Sequence, residues 1–189
     1  MMKKIRGVII AGVISLALLP QGASANKKDE AVGIVKQFAG SLKGELQAAM
    51  KSGGPTKAIQ VCSEKAPSIA ADLSRKSGGL VRRVSLKVRN PSDIPDAWER
   101  EVLEEFDRQA KAGADLTKLA KGEMVTEGGQ KYFRLMKAIP TAKLCLTCHG
   151  TEINAAVKKE LDDKYPHDVA RGYKEGMVRG AFTVKLPVN

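Results

Sequence analysis

The run Cys145-Leu146-Thr147-Cys148-His149 constrains this chain more than any other five residues in it. It reads C-x-x-C-H, the spacing at which a c-type haem is attached. Two thiols on one turn add to the two vinyl groups of one porphyrin as thioethers, and the next residue presents an imidazole to the iron. A disulfide or half of a zinc site can precede a histidine by chance. A four-ligand zinc centre would need a second cluster, and Cys62 and His167 are the remaining cysteine and histidine of the chain. A thioredoxin-like motif belongs in a βαβ setting and has no use for the histidine. The expectation is one covalently bound haem c, held by Cys145 and Cys148 and ligated by His149.

The beginning of the chain agrees with that chemistry. Lys3, Lys4 and Arg6 precede an apolar run from Gly7 to Pro20, and Ala23-Ser24-Ala25 follows as a small-x-small pattern. This is the layout of a secretory leader, with cleavage expected after Ala25 and delivery to the periplasm. The run is too short for a typical transmembrane span, so no stable membrane insertion is expected after cleavage. Residues 26–189 then form a single haem-binding domain, and the net charge falls from +11 to +8 as the leader removes three cations. A basic surface can favour acidic partners, although a plainly solvated surface accounts for it as well. Nucleic acid is not expected as a partner, because no basic run is interleaved with aromatics. Two of the three cysteines are committed to haem, which leaves Cys62 without a thiol partner.

Hydrophobic periodicity organises the rest. Ile34, Val35, Phe38, Leu42, Leu46 and Met50 predict a long amphipathic helix over 27–51, ended by Ser52-Gly53-Gly54-Pro55. A second helix over 56–76, interrupted or restarted at Pro67, carries Ile59, Cys62, Ala66, Ile69 and Leu73 on one face, so Cys62 points inward. Alternation over 80–89 predicts a strand, broken at Asn90-Pro91. A helix is predicted over 96–112, with Trp98, Val102 and Phe106 as its stripe. Glu127-Gly128-Gly129 predicts a hairpin between strands at 123–126 and 130–139. A short helix at 153–164 and a strand at 177–186 close the chain. This order argues for an α+β domain with a mostly antiparallel sheet.

Several blocks of this sequence resemble a family of exported monohaem c-type cytochromes with a PAS-like domain, long catalogued as a domain of unknown function. They are Ala58-Ile59-Gln60-Val61-Cys62-Ser63, the run Arg83 to Pro91 followed by Pro95-Asp96-Ala97-Trp98-Glu99, the block Leu144 to Gly150, and Gly172 to Gly176 with Arg179 to Val184. Ser92-Asp93-Ile94 departs from the family's usual polar tripeptide in a loop. The resemblance implies a PAS-like antiparallel sheet with haem against it, and His149 and Cys62 as the two axial ligands. It also implies kinship with the sensory portions of membrane receptors.

On the residues alone the sixth position is open among Cys62, His167, Met50, Met124, Met136 and Met177. Thiolate and thioether are both recognised haem ligands, while methionine commonly fills core gaps. Arg82, Arg83, Arg89, Arg171 and Tyr173 are candidates for the haem propionates, Arg89 and Tyr173 foremost. The expected role is a redox or small-ligand sensor module that answers to a redox or sensory partner protein. The alternative is a periplasmic electron-transfer cytochrome. An enzyme is not expected, since no distal histidine has a setting suited to acid–base work.

Overall fold

The computed structural model describes residues 21–188, with side chains from residue 25. The expected leader falls largely outside this range. Helix α1 (Gln21–Gln60) breaks at Gly54, whose φ of 65° and ψ of −160° are not helical, and Pro55 restarts it. The predicted stop at 52–55 is therefore a hinge between two helical arms. A π-helical segment, Val61–Lys65, follows without a gap, and α2 spans Ala66–Ser77 with Pro67 in its first turn. The sequence predicted an interruption near Pro67, and the widened turn is its form. Pro67 has no N–H to donate, and the Ala66 N–H reaches back five residues to the Val61 carbonyl.

Four strands make one antiparallel sheet in the order β1-β4-β3-β2. They are β1 (Leu80–Val84), β2 (Ala120–Glu127), β3 (Gln130–Pro140) and β4 (Val178–Pro187). The β2–β3 hairpin turns on Gly128 and Gly129, both with positive φ, as a primed two-residue turn requires. Helix α3 (Ala97–Lys111) lies on one face of the sheet, where Val102, Leu103 and Phe106 meet Val84, Met136 and Ala181. Helices α1 and α2 cover the other face, with Val35, Phe38 and Leu73 against Phe133, Leu135, Val184 and Leu186. The architecture is the α+β, PAS-like arrangement expected, with a long N-terminal helix. Among the described residues no helix is long and apolar enough to cross a membrane.

One predicted element is shorter than its pattern. Alternation continues to Arg89, yet β1 ends at Val84. The last β1–β4 pair is Val84 with Ala181, while β4 itself stays in the sheet, with Gly180 still paired to Ile139 of β3. The Ser85 N–H then bonds to the Asp93 carbonyl at 3.1 Å and the Val88 carbonyl accepts from Val169 at 3.1 Å. Residues 85–89 thus peel off the sheet edge and carry Arg89 to the C-x-x-C-H segment. The crossing is tight. A Cβ on Gly180 would lie 2.4 Å from the Val84 carbonyl oxygen.

The sheet is tied to α3 through Glu99, which has no exposed surface. Its carboxylate accepts from Thr183 Oγ1 of β4 at 2.9 Å, lies 3.3 Å from the Arg134 guanidinium of β3, and pairs with Arg82 of β1. It also accepts from the Asp96 N–H at 2.9 Å, while Asp96 accepts from the Glu99 N–H at 2.8 Å, a reciprocal capping box.

Two stability outcomes follow from these contacts. Glu99→Ala removes the fully buried carboxylate that Arg82, Arg134 and Thr183 share, leaving Arg134 with Asp96 and Glu127 and Arg82 with backbone carbonyls, and should cost about 3 kcal/mol in chemical denaturation. Gly180→Ala pushes a Cβ into backbone that has nowhere to go and should cost about 1–3 kcal/mol in the same assay.

Candidate cofactor-binding site

The C-x-x-C-H segment is short-coiled rather than extended. A 3-10 turn, Lys143–Cys145, runs into a single helical turn, α4 (Leu146–His149), closed by the Gly150 N–H on the Leu146 carbonyl at 2.9 Å. One turn brings both thiols to the same side, the geometry that two thioethers on one macrocycle require. Cys145, Cys148 and His149 all line a cavity of about 990 Å³, its open mouth included.

Three elements build the apolar wall. Leu42, Leu46 and Met50 come from the first arm of α1, Ala58 and Ile59 from its second arm, and Leu161 from α5 (Ala155–Lys164). Cys62 also lines the cavity, from the π-helical segment. An inserted residue of this kind re-aims the side chains beside it and often marks a functional position. The face predicted for this helix holds, with Ile59, Ala66 and Leu73 buried and Cys62 half-buried. Sequence reasoning named the residue but could not see the widened turn that carries it.

His149 is held in one tautomer. Its Nδ1 lies 2.7 Å from the Ala170 carbonyl oxygen, which can only accept, so Nδ1 carries the proton and Nε2 keeps its lone pair. Burial, then the nearby Arg179 and Arg89 charges, push its pKa down to about 2. A neutral imidazole with a free Nε2 is the form that ligates iron. Burial likewise raises the pKa of the Cys148 thiol.

Part of the cavity wall near His149 is polar. Arg83, Arg179, Asp93 and Ser85 reach it. Arg83 lies 3.8 Å from Asp93, and Arg179 donates to Ser85 Oγ at 3.1 Å. Among the described residues no carboxylate is within ion-pair distance of Arg179, and burial holds its guanidinium below the usual value. Burial raises the Asp93 carboxyl despite Arg83, Arg179 and Arg82 around it. The arrangement fits a flat apolar ring with anionic edges. Thiols, an imidazole, apolar side chains and guanidiniums all line the one space.

The predicted site residues are thus partly gathered. Of the candidates for a second axial ligand, Cys62 and Met50 line the cavity. His167 is exposed, Met124 and Met177 lie at the surface, and Met136 is packed in the core beneath α3. Arg89 borders the cavity, but its Nη2 donates to the Cys148 carbonyl at 2.6 Å and lies 3.0 Å from Asp168. Tyr173 does not line it. Its ring stands edge-on to the His149 ring, centroids 6.1 Å apart. Arg82 is engaged by Glu99 and Arg171 by Asp168 and Asp162. Sequence reasoning passed over Arg179 and Tyr165, another lining residue. A single arginine in the otherwise apolar opening of β4, Val178 to Ala181, was the available signal for the first.

Among the described residues no group of three or more His, Cys, Asp or Glu side chains is placed to hold a metal ion alone. The three cysteines and His149 surround a space instead of closing on a point, which counts against the zinc alternative.

The comparisons with known proteins agree with this geometry. The crystal structure of the cyanobacterial haem protein Tll0287 matches with a TM-score of 0.64 and 26% identity, over 82% of this chain and 91% of that one. No curated protein matches the chain. A family model described as Tll0287-like matches residues 19–187, which takes in the sheet, the hinged helix and every residue of the cavity wall, and the chain therefore belongs to the Tll0287-like family.

Proposed function

We propose that this chain is an exported c-type monohaem protein with His149 and Cys62 as axial ligands, working as a redox or small-ligand sensor module and not as an enzyme. The observation that carries the reading is the meeting of Cys145, Cys148, His149 and Cys62 on one largely apolar cavity. The likeness to a cyanobacterial haem protein supports the cofactor. A haem bound here supplies an iron that passes between ferric and ferrous states and can accept an exogenous sixth ligand.

The chain's own residues do the rest. Cys145 and Cys148 anchor covalently, and His149 offers Nε2 because the Ala170 carbonyl holds its other nitrogen. Arg83 and Arg179 are the groups we assign to the propionates, since both line the cavity, whereas Arg82 and Arg171 do not line it and Arg89 is taken up by Asp168 and the Cys148 carbonyl. Cys62 contributes a sulfur whose donor strength depends on its proton. Thiolate suits a ferric centre, and the protonated thiol is a weak ligand. It sits on a π-helical segment between two regular helices, an element with an ordinary α-helical alternative close by. Change at the sulfur can therefore be passed to the hinged α1 arm and to α2, which a carrier with fixed ligands has no need to do.

Three outcomes check the reading. Mature protein from cells with a c-haem maturation system should carry one haem that resists acid-acetone extraction, by intact mass and pyridine haemochrome. Extractable haem would contradict the covalent anchor. Cys62→Ala should keep that haem yet lose the low-spin thiolate spectrum, and its potential should rise by on the order of 100 mV, within the ~0.8 V that axial ligation spans. Met50→Leu should leave the ferric spectrum unaltered. Carbon monoxide should bind the reduced protein readily. A six-coordinate ferrous form indifferent to carbon monoxide would favour the electron-carrier reading.

A further inference from the structure

The loop from Asp168 to Tyr173 is stitched to the C-x-x-C-H turn by backbone alone at two points. The Gly172 N–H bonds to the Gly150 carbonyl and the Tyr173 N–H to the His149 carbonyl, both at 2.9 Å. Two residues before Gly172 is Ala170, whose carbonyl fixes His149. Arg89 converges on the same atoms. Its Nη2 donates to the Cys148 carbonyl at 2.6 Å, lies 3.3 Å from the Ala170 carbonyl as a second donor, and stands 3.0 Å from Asp168 Oδ2. The Asp168 side chain has no exposed surface and that of Arg89 is 6% exposed. Asp168 also accepts from the Ala170 N–H at 2.9 Å and from Arg171 Nε at 2.8 Å. One residue's carbonyl thus orients the imidazole while its N–H is held by the carboxylate that pairs with Arg89.

We propose that Arg89 and Asp168 are positioning residues for His149 which set the reduction potential of the centre that His149 ligates. The inference rests on the haem reading above. Two physical effects carry it. The Ala170 carbonyl is shared between His149 Nδ1–H and the guanidinium. The guanidinium draws on the acceptor and weakens its pull on the imidazole proton, so the imidazole stays a plain neutral ligand. Arg89 and Asp168 are also opposite charges buried within one turn of the ligand, where the local dielectric screens them poorly. As a pair they nearly cancel; removal of the Arg89 charge leaves Asp168 with the more exposed Arg171 alone, and removal of the Asp168 charge leaves Arg89 with no carboxylate partner among the described residues.

The two partners therefore act with opposite signs. Without the Arg89 charge, Asp168 adds negative potential and the Ala170 carbonyl accepts from His149 alone, and both effects favour the ferric state. Without the Asp168 charge, the guanidinium favours the ferrous state. A merely structural role, in which either change loosens the loop, would move both variants the same way. Arg83, Arg179 and Asp93 face the same cavity and Arg171 backs Asp168, but none of them changes in the comparison.

The test is spectroelectrochemical titration of the haem-loaded full chain as wild type, Arg89→Gln, Arg89→Lys and Asp168→Asn, with haem content and ferric spectrum recorded for each. Arg89→Gln should lower the midpoint by at least the tenfold change in the oxidised-to-reduced ratio that equals about 59 mV for one electron. Asp168→Asn should raise it, and Arg89→Lys should bring it back toward wild type. Equal midpoints, or shifts of one sign in Arg89→Gln and Asp168→Asn, would overturn the proposal. If Asp168→Asn does not fold, the Arg89 pair decides, since Gln and Lys giving the same midpoint would also overturn it. A wild-type chain that carries no haem would remove the preceding reading and this one together. Haem-loaded variants with unmoved potentials would remove this one alone.

Discussion

The buried ion pair between Arg89 and Asp168 holds together a site that regular structure does not. The C-x-x-C-H segment and the groups that fix His149 sit on the 85–96, 141–154 and 165–177 connections, which have no ladder to hold them. Loops of this kind need other ties. Here one guanidinium reaches a carboxylate, a carbonyl of the C-x-x-C-H turn and a carbonyl of the facing loop. A buried pair is weak evidence for stability, because desolvation consumes most of its attraction. Its contribution is geometric. With both charges satisfied only in one arrangement, three loops share one relative placement.

The scaffold behind those loops is rigid for a different reason. Glu99 joins α3 to three of the four strands, and every polar group in that knot has a partner apart from Arg82 Nε and Arg134 Nε. The sheet is covered on both faces by apolar side chains. Against that background the hinged α1 arm and the π-helical turn stand out as irregular. They bring Leu42, Leu46, Met50 and Cys62 to the cavity from one continuous piece of chain. Irregular backbone concentrated at the site and regular backbone elsewhere is what a responsive centre on a stable frame requires.

Charge has a similar division. Part of the basic character of the sequence is neutralised inside the fold. Most arginines near the cavity are consumed internally, Arg82 by Glu99, Arg134 by Glu99 and Asp96, and Arg89 and Arg171 by Asp168. Arg179 is the exception, with Tyr173 beneath its guanidinium at 5.3 Å and no close carboxylate among the described residues. Composition counts charges without saying which have been neutralised.

Cys145, Cys148 and His149 were legible in the sequence as a set because their pattern is local. Five consecutive residues put two thiols and an imidazole within one turn, and all three line the cavity. Element types were legible for the same reason, since the apolar periods of α1, α3 and the β2–β3 hairpin report which face each will bury. What only the tertiary structure decided is non-local. The strand pattern from 80 to 89 ends at Val84 because the chain beyond it bonds to Asp93 and Val169 in place of β4, a fact of partner availability that alternation cannot encode. The role of Arg89 turned on Asp168, 79 positions away in the chain. Arg179 entered the cavity, and Tyr173 stood outside it against His149, by the way the last loop folds back. Local chemistry is written in adjacent residues, whereas the pairing of buried charges depends on which segments the fold brings together.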